Sequence, residues 1–213
     1  MNTLNRRQLS IGLAASLLAA PAVRAANEPV EGKDYIKLSS PIPGSSPGKV
    51  EVIEFFGYWC PHCYELEHVL QAWAARLPPG VVFKRSPVAW QAMHVPFQKI
   101  YFALEAMGVP PAMHGKVFDA LHRDRLRLDN DAGLAVFAQA NGLDKAKLLD
   151  LMNGFSVTSR IKVANQLYES YRLDGVPKLA VNGQYLTSPA QANGNERALQ
   201  VVDALIAKVR SKG

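Results

Sequence analysis

The most constraining feature of this sequence is a pair of cysteines, Cys60 and Cys63, placed where a predicted strand ends and a predicted helix begins. Residues 50–56 are β-branched and aromatic apart from two glutamates, which is typical of a buried central strand. Apolar residues then recur at helical spacing until a Pro-Pro-Gly sequence at 78–80. Residues 81–88 again have a strand pattern. This order predicts a parallel strand pair joined by a helix.

The region 95–171 carries no convincing strand pattern, and we expect a helical insertion there. Gly108-Val109-Pro110-Pro111 ends the first of its helices, and Asn130 or Asp129 is a candidate cap for the third. The candidate helices cover 97–107, 114–122, 131–140, 145–153 and 157–171.

The strand pattern returns after the helices. Residues 178–181 form a short apolar run, and Asn182-Gly183 is a strong hairpin-turn signal that leads into 184–187. Residues 196–210 have apolar side chains along one face, as in a closing amphipathic helix. A Cys-x-x-Cys sequence beside a strand–helix–strand unit is typical of a thioredoxin-like redox protein. We therefore predict an α/β thioredoxin-like fold with an inserted helical domain.

In domain terms, the prediction assigns residues 1–25 to a signal peptide. Residues 26–94 and 172–213 form the thioredoxin-like domain, and residues 95–171 form the helical insertion.

The N-terminus has the three parts of a signal peptide. Arg6 and Arg7 form a basic segment, residues 9–22 are apolar, and Val23-Arg24-Ala25 is a plausible cleavage site. Arg24 ends the apolar run too early for a spanning helix of about 20 residues, which is the alternative interpretation. The arginine pair leaves both the general and the twin-arginine export routes open. We expect an exported, periplasmic protein whose mature chain does not span the membrane.

Most of the excess positive charge belongs to this leader. The full chain has a formal net charge of +6, and cleavage after Ala25 removes three arginines and no acidic residue, which leaves +3. Such a small charge does not indicate nucleic-acid binding.

The two cysteines are better suited to chemistry than to stapling the fold. A disulfide between Cys60 and Cys63 closes a very small loop and therefore restrains the unfolded chain little. A zinc site needs further ligands, and the chain has neither a second cysteine pair nor a closely spaced histidine pair of the zinc-finger type. We expect no metal and no cofactor other than the redox-active cysteine pair.

The position of Cys60 at a helix N-terminus predicts its role. The free N–H groups and the positive end of the helix dipole stabilise a thiolate there, and a protonated His62 adds positive charge. Pro61 suits the first helical position, where no N–H donor is needed. Cys63 lies one helical turn later, within reach of a mixed disulfide at Cys60. A stabilised thiolate favours the reduced form, so the disulfide is predicted to be a strong oxidant.

Two further positions have open interpretations. Glu54, inside the apolar strand, is either a buried carboxyl that relays protons or a solvent-facing residue at the strand end. Pro177 after Val176 is either an ordinary proline at the start of a strand or a cis-proline that presents the Val176 backbone to an extended substrate. Four other histidines show no partner pattern, and we interpret them as ordinary surface or core residues: His68, His94, His114 and His122.

The chain resembles the DsbA family of periplasmic disulfide donors. The resemblance rests on two stretches, Val52 to Tyr64 around the cysteines and Gly175 to Gly183, and extends over the helical insertion and the closing helix. It implies that Cys60 is the nucleophile, Cys63 the resolving thiol, Glu54 a buried carboxylate, and Val176-Pro177 a cis-proline loop beside the active site. The approach Gly57-Tyr58-Trp59 is variable in the family, so groove shape and substrate preference are not implied.

The predicted function is donation of the Cys60–Cys63 disulfide to folding exported proteins. The resemblance implies that the substrates are unfolded polypeptides with free thiols and that an inner-membrane protein of the DsbB type reoxidises the chain, and we expect a monomer. Two alternatives remain: a disulfide isomerase or reductase, and a non-enzymatic peptide-binding chaperone. Periplasmic isomerases of similar fold carry an N-terminal dimerisation domain, for which the chain before the first core strand is short.

Overall fold

The computed structural model describes residues 28–44 and 46–211. The predicted signal peptide lies outside the described residues. Five strands form one mixed sheet in the order β1-β5-β4-β2-β3. The strands are β1 Ile36–Lys37, β2 Val50–Phe56, β3 Val81–Pro87, β4 Lys178–Val181 and β5 Tyr185–Thr187.

Helices cover both the connection between β2 and β3 and the region between β3 and β4. A 3-10 turn at Ala92–His94 precedes α2. The α-helices are α1 Pro61–Ala74, α2 Val95–Ala106, α3 Met113–His122, α4 Asp131–Ala140, α5 Lys145–Asn153, α6 Phe155–Ser170, α7 Pro189–Ala192 and α8 Asn195–Arg210.

Strand β2 lies inside the sheet with a neighbour on each side, as its composition predicts. It pairs in parallel with β3 and antiparallel with β4, and all seven of its residues are buried. Because side chains alternate along a strand, Val52 and Phe55 lie in different apolar clusters. The cluster around Val52 is completed by α1 and α8. Glu54 shares the face of Val52, and this face is the one that α1 covers.

The sequence-based elements are confirmed with small shifts at their ends. Helix α1 ends at Ala74, before the Pro-Pro-Gly sequence, and α6 begins two residues earlier than predicted. Asn130 caps α4 by accepting a hydrogen bond from the N–H of Gly133. In the turn between β4 and β5, Asn182 and Gly183 both have positive φ angles, 53° and 62°.

Between β3 and β4 the described chain is helical, without a strand. Side chains of α2 to α6 form one apolar cluster, which also contains Phe56, Tyr58 and both cysteines. The helical region therefore packs directly beneath the predicted reactive centre. The domain boundaries at 94/95 and 171/172 stay a prediction.

Candidate active site

The N-terminus of α1 is built around Cys60. This residue has extended backbone angles and occupies the N-cap position, and Pro61 takes the first helical position. The Cys60 N–H donates to the carbonyl of Gly57 over 2.9 Å, which closes the turn between β2 and α1. Both cysteines are free thiols, and only 5% of Cys60 and none of Cys63 is exposed. The first N–H groups of α1 thus face the Cys60 sulfur.

The two thiols differ strongly in acidity. A hydrogen bond from the Cys63 side chain is the main reason why the pKa of Cys60 falls to about 6. The N–H groups of Cys63 and His62 and the charge of His62 act in the same direction, against the effect of burial. Burial raises the pKa of Cys63 well above its ordinary value, and the nearby Glu54 adds to the rise. Near neutral pH, Cys60 is mostly a thiolate and Cys63 a thiol.

The side chain of His62 is exposed and contacts Glu65. Its ring is 73% exposed, and Nδ1 lies 3.2 Å from Oε2 of Glu65 on the same helix. His62 therefore acts on Cys60 chiefly through its backbone N–H, and through its ring charge when protonated.

The Val176-Pro177 peptide bond is cis. The loop that contains it lies beside the cysteines, since Sγ of Cys60 is 3.5 Å from the carbonyl oxygen of Val176, to which it donates when Cys60 is protonated. Pro177 is buried, whereas Val176 is partly exposed. The Val176 backbone thus borders the sulfur that a substrate must reach.

Glu54 belongs to a buried cluster of charged groups beneath α1. Arg85 of β3 donates through Nε to Oε2 of Glu54 over 3.0 Å. Its Nη2 donates to both carboxylate oxygens of Glu67, at 3.1 and 2.8 Å. Two carboxyl groups therefore share one guanidinium. Burial raises the pKa of Glu54 to about 8 in spite of Arg85, so this carboxyl is mostly protonated near neutral pH.

His114 of α3 completes the cluster. Its Nδ1 is 2.8 Å from the hydroxyl oxygen of Tyr58, and its Nε2 is 3.7 Å from Oε2 of Glu67. Burial, assisted by Arg85, lowers the pKa of His114 well below its ordinary value, so the ring is neutral. Two buried atoms here have no hydrogen-bond partner among the described residues: Oε1 of Glu54 and Nε2 of His114.

Among the described residues, three of these side chains lie close enough together to hold a metal ion, judged by distance alone. Carboxylate oxygens of Glu54 and Glu67 and a ring nitrogen of His114 lie within 4.8 Å of one another. The guanidinium of Arg85 already binds both carboxyl groups, and its positive charge opposes a cation at the same place.

Aromatic side chains pack against Trp59, the residue before Cys60. The indole of Trp59 stacks on the ring of His94 with centroids 4.0 Å apart, and it meets Trp90 edge-on at 5.5 Å. Trp90 is 39% exposed and Met93 is 68% exposed. An apolar surface thus adjoins Cys60.

Comparisons with known proteins agree with this geometry. Residues 80–206 match the family model for the DSBA-like thioredoxin domain. The thiol:disulfide interchange protein DsbA of Bordetella parapertussis is 40% identical over 209 residues, which cover 98% of each chain. The crystal structure of Pseudomonas aeruginosa DsbA matches with a TM-score of 0.82 and 38% identity, over 86% of this chain and 96% of that chain.

The chain belongs to the DsbA family.

A second solved structure supports the membership of this chain in the DsbA family. The oxidoreductase NmDsbA1 from N. meningitidis is 31% identical, with a TM-score of 0.75 over 86% of this chain and 95% of that chain. The family consists of thiol–disulfide oxidoreductases, so this chain is an enzyme of that class with the predicted thioredoxin-like fold.

The structure brings all the predicted site residues of this DsbA-family chain to one place. Cys60, Pro61, His62 and Cys63 open α1, and the Val176-Pro177 loop contacts Cys60. Of the two interpretations of Glu54, burial is confirmed, because none of its surface is exposed. Its part in proton transfer stays a prediction.

Sequence reasoning missed the partners of Glu54. The sequence showed no partner pattern for His114, and the structure places it in the core, against Tyr58 and Glu67. His94 and His122 also have partners, the ring of Trp59 and the carbonyl of Tyr58. A signal for Arg85 was available: it is a charged residue inside a predicted strand, and it lies opposite Glu54 in the parallel register.

Proposed function

We propose that this chain donates the Cys60–Cys63 disulfide to folding exported polypeptides, with Cys60 as the reactive thiol and Cys63 as the resolving thiol. A substrate thiolate attacks Cys60, and Cys63 leaves and takes up a proton. A second substrate thiolate then attacks the mixed disulfide, and Cys60 leaves as a thiolate. The substrate gains a disulfide, and the enzyme retains the two electrons as a dithiol.

The difference in acidity between the two cysteines carries this proposal. Reduction releases Cys60 as a thiolate in a site that stabilises the charge, because its pKa is about 6. The reduced form is therefore favoured, and the disulfide is readily given away. Cys60 is also the better leaving group of the two, which speeds release of the oxidised substrate.

The surface around Cys60 favours an unfolded polypeptide as the substrate. Trp90 and Met93 are exposed next to Trp59, and apolar patches of this kind bind apolar side chains. The backbone of Val176, a partly exposed residue, offers hydrogen bonds to an extended chain, as in strand addition. Neither contact requires a particular substrate sequence.

The predicted signal peptide and the DsbA relatives support a periplasmic location. None of the helices in residues 28–44 and 46–211 is long and apolar enough to cross a membrane. We propose a DsbB-type inner-membrane protein as the electron acceptor. The Cys60 thiolate would attack the acceptor's disulfide and release one acceptor thiolate. Cys63 would then attack Cys60 and release the second acceptor thiolate, so that the acceptor takes the two electrons as a dithiol.

A direct comparison of two activities tests the proposal. The oxidised protein is mixed with a reduced, unfolded test protein, and the reduced protein is mixed with a scrambled one. We expect disulfide formation to be faster than reshuffling, and we expect Cys60→Ser to abolish both. Faster reshuffling would favour an isomerase, and unchanged folding assistance by Cys60→Ser would favour a chaperone.

A further inference from the structure

The buried charged cluster around Glu54, beneath α1, adjoins a cavity that the cysteines do not line. This cavity of about 620 Å³ is open to solvent, and neither cysteine is among its lining residues. Its lining includes Tyr58, Arg85, Tyr101, Glu105, His114 and Arg160. Three side chains of the buried cluster therefore also line the cavity: Tyr58, Arg85 and His114.

Cys63 exchanges a proton both when the enzyme is reduced and when it is reoxidised. It takes up a proton after it leaves the disulfide, and it gives up a proton before it closes the disulfide again. Glu54 lies on the face of β2 that α1 covers, and Cys63 is in the first turn of α1. Glu54 also adds to the rise in the pKa of Cys63, and its Oε1 has no hydrogen-bond partner among the described residues. Since Glu54 is mostly protonated near neutral pH, it accepts the Cys63 proton only after it has lost its own.

His114 offers an acceptor for the proton on Glu54. Its Nε2 is buried without a hydrogen-bond partner in the described part of the chain, and a ring nitrogen lies within 4.8 Å of a Glu54 oxygen. One bridging water spans such a separation. A neutral imidazole takes up a proton on one nitrogen and releases one from the other. The second nitrogen, Nδ1, lies at the hydroxyl of Tyr58, on the lining of the cavity.

We propose that His114 carries protons between Glu54 and this cavity, so that Cys63 exchanges its proton with solvent by a route that does not cross the substrate surface at Cys60. The inference rests on the proposed function, in which a substrate or acceptor covers Cys60 while Cys63 changes its protonation. The described hydrogen bonds and ion pairs of His114 include none with a cysteine, and His114 acts on Cys63 only through Glu54. The ionisable groups that face the cluster include Tyr58, Cys63, Glu67, Arg85 and Tyr101, and the charge of His68 acts on Glu67 from the exposed side of α1.

Oxidation of the reduced protein by glutathione disulfide separates two steps. In the first, the Cys60 thiolate attacks glutathione disulfide, a mixed disulfide forms, and one glutathione thiolate leaves. In the second, the Cys63 sulfur attacks the Cys60 sulfur, the protein disulfide forms, the second glutathione thiolate leaves, and the Cys63 proton passes to Glu54. Only the second step uses the proposed route. Acid quenching and mass spectrometry measure both rates.

We expect His114→Gln to slow the second step roughly tenfold at pH 7 and to leave the first within about twofold. This is less than the ~100-fold or more that direct general acid–base catalysis contributes, because His114 acts one step away. In a Glu54→Gln background, His114→Gln should have no further effect, as expected for residues on one route. His68→Gln, exposed on α1 one position after Glu67, is the matched control and should change neither step.

Three results would overturn the inference: an unchanged second step in His114→Gln, equal slowing of both steps, or an additive effect in the double variant. Failure to form any mixed disulfide at Cys60 in the wild-type protein would overturn the proposed function as well.

If the His114→Gln variant does not fold, nitrogen NMR of the His114 ring in the wild-type protein provides the test instead. The His114 shifts should then change with a midpoint near the Glu54 pKa of about 8, and this change should vanish in Glu54→Gln. His114 chemical shifts that do not change with pH in this range would contradict the proposed proton route.

Discussion

The carbonyl oxygen of Val176 lies 3.5 Å from Sγ of Cys60, although the two residues are 116 positions apart in the sequence. The contact exists because β4 pairs antiparallel with β2, which brings the loop before β4 to the end of β2 where α1 begins. A substrate that reaches Cys60 therefore meets the Val176 backbone.

Single cysteine variants should separate the roles of the two thiols. We expect Cys63→Ser, mixed with a peptide disulfide, to accumulate a mixed disulfide at Cys60, because the attacking thiolate is present and the resolving thiol is not. Cys60→Ser should form no adduct at neutral pH, because burial keeps Cys63 protonated. Mass spectrometry after acid quenching detects the adducts. An adduct at Cys63 in the Cys60→Ser variant would contradict these roles.

The buried carboxyl of Glu54 should make the protein less stable as the pH rises. Its pKa is about 8 in the folded protein and about 4.3 in an unfolded chain, so the folded state binds the extra proton between these values. Stability from this group is present below the lower value and is lost as the pH rises through the higher one. Glu54→Gln should remove this dependence and stabilise the protein at pH 9, relative to wild type, by a few kcal/mol at most, on the order of ~1.4 kcal/mol per pKa unit.

Urea denaturation of the reduced proteins at pH 5, 7 and 9 measures this difference. Glu105→Gln, which changes an exposed carboxyl at the cavity, is the matched control. A wild-type protein that gains stability relative to Glu54→Gln as the pH rises would show that Glu54 is ionised in the folded state.

Arg85 should be far more important for stability than the surface arginines. Arg85→Leu leaves the buried carboxyl group of Glu67 without its cation and removes the hydrogen-bond donor of Glu54, and breaking a buried pair of this kind typically costs about 3–5 kcal/mol. Arg127→Leu breaks an exposed pair with Asp129 and should change the free energy of unfolding by less than ~1 kcal/mol. Denaturation of both variants at pH 7 checks the prediction, and similar losses would mean that Arg85 is not the centre of the cluster.

The hairpin between β4 and β5 depends on glycine at position 183. Its φ is +62°, and a Cβ atom there would lie 1.8 Å from the carbonyl oxygen of Ile42. Gly183→Ala should destabilise the protein by more than ~1 kcal/mol. Gly115→Ala, in α3 with no atom within 4 Å of the added Cβ, should stabilise it by about 0.4–1 kcal/mol. Thermal unfolding compares the two, and equal effects would contradict the close approach at Gly183.

Local sequence signals were sufficient for most of the fold. The buried strand 50–56, the helices of 95–171 and the Asn182-Gly183 turn each have a pattern that depends on near neighbours. Strand β1 has no such pattern, because it is only Ile36–Lys37 and both side chains are exposed. It exists because it pairs with β5, far away in the sequence.

The active site also combines features that local sequence predicts with features that only the packing of distant elements produces. The cysteines and the helix N-terminus are adjacent in sequence, and their chemistry follows from that position. The cluster around Glu54 joins a strand, two helices and a second strand, so its members are brought together only by packing. His114 in particular lies in a helix whose position against β2 no local pattern specifies.

The acidity of Cys60 tests the central claim most directly. Ultraviolet absorbance of the reduced protein follows the thiolate as the pH changes, and Cys60→Ser provides the baseline for Cys63. We predict a Cys60 pKa of about 6. A value near the ~8.5 of an ordinary thiol would contradict the account of this chain as a disulfide donor.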